Sequence, residues 1–246
     1  MSRTSRMALA AGAVVELVLL ALLSLVAGLG PLGWLAGVTY GVILIMALYR
    51  SGATRLGPAD YVTLGRATLV GGVTAMVVDA LRQPPSMALL VVIASVALAL
   101  DAVDGKVARR TGTASPLGAR FDMEVDAFLI LVLSAFVAST HGWWVLVIGL
   151  MRYAYVAAGW VLPWLRGSLP STMARKTVAA IQGVVLVVAA SGLLPLWVSI
   201  PLAAASLAAL VWSFADSVWQ LYPRRDQLVT SLVAKFAHAA PKNRPM

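Results

Sequence analysis

The chain has no cysteine in its 246 residues, which removes disulfides, thiolate metal sites and thiol nucleophiles from consideration. Histidine occurs twice, as His141 and His238, and neither has a second metal-ligating residue type beside it. Charge is also scarce: Asp, Glu, Lys and Arg together make up 12% of the chain, with 10 acidic residues against 19 basic ones. Apolar residues are plentiful, at 61%, with a mean hydropathy of +0.89. A soluble domain carries about 45–50% apolar residues, so the composition points to a polytopic helical membrane protein. The formal net charge of +9 fits positively charged cytoplasmic loops and attraction to anionic lipid, and no nucleic-acid partner is expected.

Eight apolar segments are long enough, or nearly so, to cross a bilayer: 7–28, 32–49, 61–81, 87–107, 121–139, 142–165, 176–190 and 196–222. Turn chemistry separates them, as in Gly28-Leu-Gly-Pro31, Gln83-Pro-Pro-Ser86 and Thr140-His-Gly142. Lys and Arg fall at alternate ends of successive spans. Arg3, Arg6, Arg50, Arg55, Lys106, Arg109, Arg110, Arg120, Arg166, Arg175 and Lys176 share one side, and Arg82 stands alone on the other. The positive-inside rule then places both termini in the cytoplasm and predicts a multi-pass protein of the cell membrane. Most of the eight tryptophans lie near span ends, as interfacial anchors. Gly71-Gly72 is expected to let helices approach closely, and Glu16 is an acid in mid-span with no evident partner. The basic tail 223–246 reads as either a short amphipathic helix on the membrane surface or a disordered segment.

Four aspartates interrupt this apolar pattern. Asp101 and Asp104, at i and i+3, close the fourth span, while Asp122 and Asp126, at i and i+4, open the fifth, so each pair shares a helix face. An ionised side chain at the centre of a membrane helix costs about 2.5–3.5 kcal/mol on insertion scales, so acids there usually have a function. The intervening loop can fold the two faces together. Clustered carboxylates without His or Cys form a hard oxygen site suited to Mg²⁺ or Mn²⁺.

The full pattern is Asp101-x-x-Asp104-Gly105-x-x-Ala108-Arg109, eight residues, then Gly118-x-x-x-Asp122-x-x-x-Asp126. It resembles the signature of the CDP-alcohol phosphotransferase (CDP-alcohol phosphatidyltransferase) family, with every residue and spacing kept. The resemblance implies an all-α integral membrane protein. Residues 58–222 would form a six-helix core, 1–57 a pair of extra transmembrane helices before it, and 223–246 a cytoplasmic tail. It implies Asp101, Asp104 and Asp122 as metal ligands, with Asp126 at the metal site and also the general base. Asp60, Tyr61, Val62 and Thr63, with Gly105, Arg109 and Ser115, would hold the CDP moiety. Ala108 and Gly118 would permit close helix and nucleotide packing.

Arg66 and Arg152 lie inside spans and are expected to face the same cavity. With Arg175 and Lys176 they are candidates for binding a phosphate on the acceptor. The reaction implied is transfer of a phosphatidyl group from CDP-diacylglycerol to a small polar alcohol, releasing CMP, by a homodimer facing the cytoplasm. The signature leaves open the reverse arrangement, a CDP-linked headgroup delivered to a lipid alcohol. A cation-coupled transporter would place its acids near the bilayer midplane on broken helices, unlike the pattern here.

Overall fold

The computed structural model describes residues 3–50, 58–111, 116–167 and 172–224. Eight α-helices occur among them: α1 (Arg3–Ala27), α2 (Pro31–Arg50), α3 (Pro58–Asp79), α4 (Met87–Thr111), α5 (Pro116–His141), α6 (Leu146–Val161), α7 (Met173–Ala190) and α8 (Leu196–Leu221). No strand occurs among the described residues, and 3-10 turns at Trp143–Val145, Pro163–Arg166 and Tyr222–Arg224 flank α6 and end α8. Each expected span coincides with a helix. Six of the eight are long and apolar enough to cross a membrane. In α4 the apolar stretch is the shorter Met87–Asp101, because charged residues occupy its last turns, and the acids in the first turns of α5 interrupt that helix in the same way.

Helix ends follow local chemistry. Pro31, Pro58 and Pro116 open α2, α3 and α5, at the position where a missing N–H costs nothing and the fixed φ suits the helix. Gly28 has φ +67° just past α1. There the Gly28 N–H donates to the Ser24 carbonyl at 3.1 Å, the left-handed helix ending that glycine enters without strain. Thr172 caps α7 by accepting from the Arg175 N–H at 3.4 Å.

α3 is the central element, packing on α4, α2, α5 and α1. Its buried face includes Ala67, Val70, Val73 and Met76, which join Leu90, Ala94, Leu129 and Leu133 in the main core. Small residues allow the close approaches. A Cβ at Gly72 would sit 2.8 Å from Leu19, and one at Gly149 would sit 2.5 Å from the Leu131 Cα. The pair α1–α2 is tied on by a polar clamp. Asp79, at the end of α3, accepts from the N–H groups of Gly30 at 2.9 Å and Gly33 at 3.3 Å. Gln83 donates both to Asp79, at 2.8 Å, and to the Gly28 carbonyl, at 2.7 Å.

Polar contacts also mark the two ends of the bundle. His141, closing α5, hydrogen-bonds Ser199 in the first turn of α8 at 2.8 Å. At the other end, Arg175 of α7 meets Asp216 and Gln220 of α8, at 3.3 and 2.9 Å. Residues 225–246, which contain nearly all of the expected basic tail, lie outside the described residues.

Candidate metal centre and active site

The site forms where the end of α4 and the start of α5 converge on the first turns of α3. α3 packs along both of these helices, whereas α4 and α5 touch each other little, so α3 sets their relative register. Carboxylate oxygens of Asp101, Asp122 and Asp126 lie within 4.8 Å of one another. All three side chains are part-exposed, at 42%, 33% and 37%, which leaves a solvent-facing side open to a ligand.

Arg66, which is fully buried at 0% exposure, lies beneath them. Its Nη1 pairs with Asp101 Oδ1 and lies 3.2 Å from Asp126 Oδ1, and its Nη2 pairs with Asp122 Oδ1. Nη2 also donates to the Asp122 carbonyl at 3.3 Å. Arg66, expected to face the cavity, makes its contacts with the carboxylates. Among the described residues, one guanidinium meets three carboxylates. Three convergent oxygen donors with no nitrogen or sulfur among them fit a hard divalent ion.

Asp104, Gly105, Ala108 and Arg109 lie on the last turns of α4, but their side chains are outside the described set, and Ser115 is outside the described residues altogether. Gly118 sits in the first turn of α5 and is part-buried. Asp60, Tyr61, Val62 and Thr63 occupy the first turns of α3, one turn before Arg66. Thr63 is buried, Tyr61 is exposed, and Asp60 and Val62 are intermediate. The nucleotide-binding candidates on α3 therefore stand at the same end of the bundle as the carboxylates.

The remaining basic candidates divide. Arg152 of α6 pairs with Glu124 of α5 and donates to the Met123 sulfur at 2.9 Å, so it lies within one helical turn of Asp122 and Asp126. Arg175 is held by Asp216 and Gln220, and Lys176 is exposed beside it. Sequence reasoning did not single out Glu124, Asp216 or Gln220. For Glu124 the signal was available, since Arg152 inside a span requires an acidic or amide partner; Arg175, just before the expected span 176–190, gave no such signal for Asp216 and Gln220. Glu124 is one of the few acids near Arg152, and Asp216 and Gln220 share a face at i, i+4.

The family model for CDP-alcohol phosphatidyltransferase matches residues 56–218, more than half of the chain. The chain belongs to this family. CDP-alcohol phosphatidyltransferases are membrane transferases of phospholipid biosynthesis that act on CDP-alcohols and generally depend on a divalent metal. The matched segment contains every signature residue, and helices α1 and α2 precede it. No curated protein and no solved structure matches the chain.

Proposed function

We infer that this CDP-alcohol phosphatidyltransferase moves a phosphatidyl group from CDP-diacylglycerol to the hydroxyl of a small polar alcohol, phosphorylated or not, and releases CMP. The observation carrying this reading is the convergence of Asp101, Asp122 and Asp126 on one point at the end of the bundle, within a signature kept in full. Asp104 completes the metal-ligand set by its place in that signature. A divalent cation at these residues would neutralise the pyrophosphate and make CMP a better leaving group.

The chain's own groups supply position and proton transfer. Asp60, Tyr61, Val62 and Thr63, with Gly105, Ala108, Arg109, Ser115 and Gly118, are taken to hold or make room for the CDP moiety by their likeness to the family pattern. Asp126 accepts the proton of the acceptor hydroxyl as that oxygen attacks the β-phosphorus, and the bond from phosphorus to the CMP oxygen breaks. The carboxylate acts mainly through its placement beside the reacting atoms. Arg152, Arg175 and Lys176 offer positive charge at the same end of the bundle for an acceptor phosphate. The carboxylates face the cytoplasm in this reading, on the side that carries most of the Lys and Arg.

The test is CMP release by purified protein from CDP-diacylglycerol with Mg²⁺ or Mn²⁺ and a panel of glycerol 3-phosphate, inositol phosphate, inositol and serine. Release that needs both the metal and one acceptor is expected, with EDTA abolishing it. Turnover of CDP-linked headgroups with diacylglycerol instead would reverse the roles of the partners.

A further inference from the structure

A cavity of about 610 Å³, within the size range of ligand sites, opens between α2 and α5 with α3 at its floor. On α2 its wall is one helix face running from Ala36 through Thr39, Ile43 and Ala47 to Leu48; on α5 it is Phe121 and Phe128. α2 packs mainly on α3 and α1 and meets α5 through Tyr40 on Phe128 and, near Leu48, through Phe121, so a gap remains between the two helices around these contacts. Tyr40 and Phe128 bridge the gap as a ring stack at 5.2 Å. By helix geometry the face from Ala36 to Leu48 rises about 18 Å, slightly more than one leaflet of a hydrocarbon core about 30 Å thick.

The two ends of this groove differ. Arg120, Glu124 and the Tyr153 ring line its mouth, at the end nearer the carboxylates, and beyond them it is mostly apolar, with Thr39 and Thr74 the uncharged polar side chains among Ala36, Ile43, Leu44 and Phe128. Arg120, Phe121, Glu124 and Val125 alternate along α5 with Asp122 and Asp126, so the mouth and the carboxylate cluster are adjacent faces of the same helical turns. The groove thus begins at the level of the reacting phosphates and runs inward for the depth of one leaflet.

We propose that this groove holds an acyl chain of the phosphatidyl donor, and that the N-terminal helix α2, outside the segment matched by the family, exists to form its outer wall. The inference rests on the proposed function for its donor, but the role of α2 does not depend on which alcohol accepts. The small side chains at Ala36, Thr39 and Ala47 leave the width that a chain needs. Replacing them with aromatic residues fills the groove, and since Thr39 and Ala47 are exposed, the larger side chains meet no packed neighbour.

The experiment compares wild type with Thr39→Trp and Ala47→Phe in two assays. The first is metal-dependent CMP release from dioleoyl and from dihexanoyl CDP-diacylglycerol. Excluding about two methylenes from the groove weakens binding roughly tenfold, so the preference for the long-chain donor in kcat/KM falls by that factor in each variant. An unchanged preference in both variants overturns the proposal. The second is photo-crosslinking of full-length protein with CDP-diacylglycerol bearing a diazirine on its acyl chain, mapped by mass spectrometry. Label concentrated on α2 between Ala36 and Leu48 and on α5 near Phe128, and lost in the variants, supports the groove. Label spread evenly over lipid-facing helices means bulk lipid only and overturns it. Wild-type protein that is labelled in the groove yet releases no CMP would fail the proposed reaction while keeping the binding site.

Discussion

Replacing Asp126 by asparagine keeps the size of the side chain and one oxygen while removing its capacity to take a proton. Positioned general bases contribute about 100- to 10,000-fold to rate, so Asp126→Asn is expected to lose transfer by that order. Mn²⁺ binding, followed by electron paramagnetic resonance, should weaken but persist, because Asp101 and Asp122 still offer converging oxygens. Turnover within a few-fold of wild type would remove Asp126 from the role of base. Arg66 makes a different kind of contribution. It is buried under three carboxylates, and removing one partner of a buried ion pair costs about 3–5 kcal/mol. The aspartates are a third or more exposed, so Arg66→Met should fall at or below the lower end of that range. A divalent cation bound at the same oxygens would replace the lost positive charge. The thermal midpoint in detergent should therefore rise more on adding Mg²⁺ for Arg66→Met than for wild type. Equal shifts would mean that guanidinium and metal do not share the carboxylates. The convergence of Asp101, Asp122 and Asp126 was legible from their spacing, because acids at facing helix ends have few uses in a membrane; the side chain of Asp104 lies outside the described set. The place of Arg66 was legible only in part: the cost of a buried charge announced a partner, but which carboxylates it meets depends on the packing of α3 against α4 and α5.

Between elements, the attachment of α1–α2 to the rest depends on few groups, so it should respond to single substitutions. Asp79 satisfies two N–H groups at the start of α2 and there does the work of an N-cap, usually worth about 0.5–2 kcal/mol. Asp79→Ala should speed amide hydrogen exchange at Gly30 through Trp34 while leaving α5 and α7 protected. Uniform acceleration across the protein would mean that α1–α2 and the remaining helices unfold as one unit. The second contact is steric. A Cβ at Gly71 would overlap the Glu16 carboxylate, and Glu16 is 4% exposed with neither carboxylate oxygen partnered among the described residues. Gly71→Val must therefore displace the buried Glu16 carboxylate, and a thermal midpoint in detergent below that of wild type would report it, whereas an unchanged midpoint would mean that the side chain moves aside freely. Gly71-Gly72 was readable as a site of close approach because glycine in a span has few other uses. The Asp79 clamp was not, since an acid at a helix end is usually solvated and nothing in its neighbourhood names a helix start 46 residues upstream, the separation of Gly33 from Asp79. Helix existence was legible for a simpler reason: eight long apolar runs in a membrane have no other way to satisfy their backbone.

At the scale of the whole molecule, the contacts at helix ends place Asp79, Gly30, His141 and Ser199 at one end of the bundle. Asp101, Asp122, Arg175 and Asp216 stand at the other. The Lys and Arg bias follows that division, with Arg82 the exception at the end away from the carboxylates. The insertion machinery retains positive loops in the cytoplasm, so the carboxylate end should face inward, where CDP-activated lipids and polar alcohols are made. The absence of cysteine makes this directly measurable, because any introduced thiol is the only one in the chain. Arg82→Cys and Lys176→Cys both replace exposed side chains, one at each end of the bundle. A membrane-impermeant maleimide should label Arg82→Cys in intact cells and Lys176→Cys only after the membrane is opened. The opposite pattern would turn the carboxylates outward and separate them from a cytoplasmic donor. Labelling of both in intact cells would mean that one of these helix ends does not lie where the alternation of eight spans puts it. The charge bias alone could be satisfied by several span counts; the carboxylate cluster narrows them, because Asp101 and Asp122 meet only if α4 and α5 run in opposite directions and end at the same face.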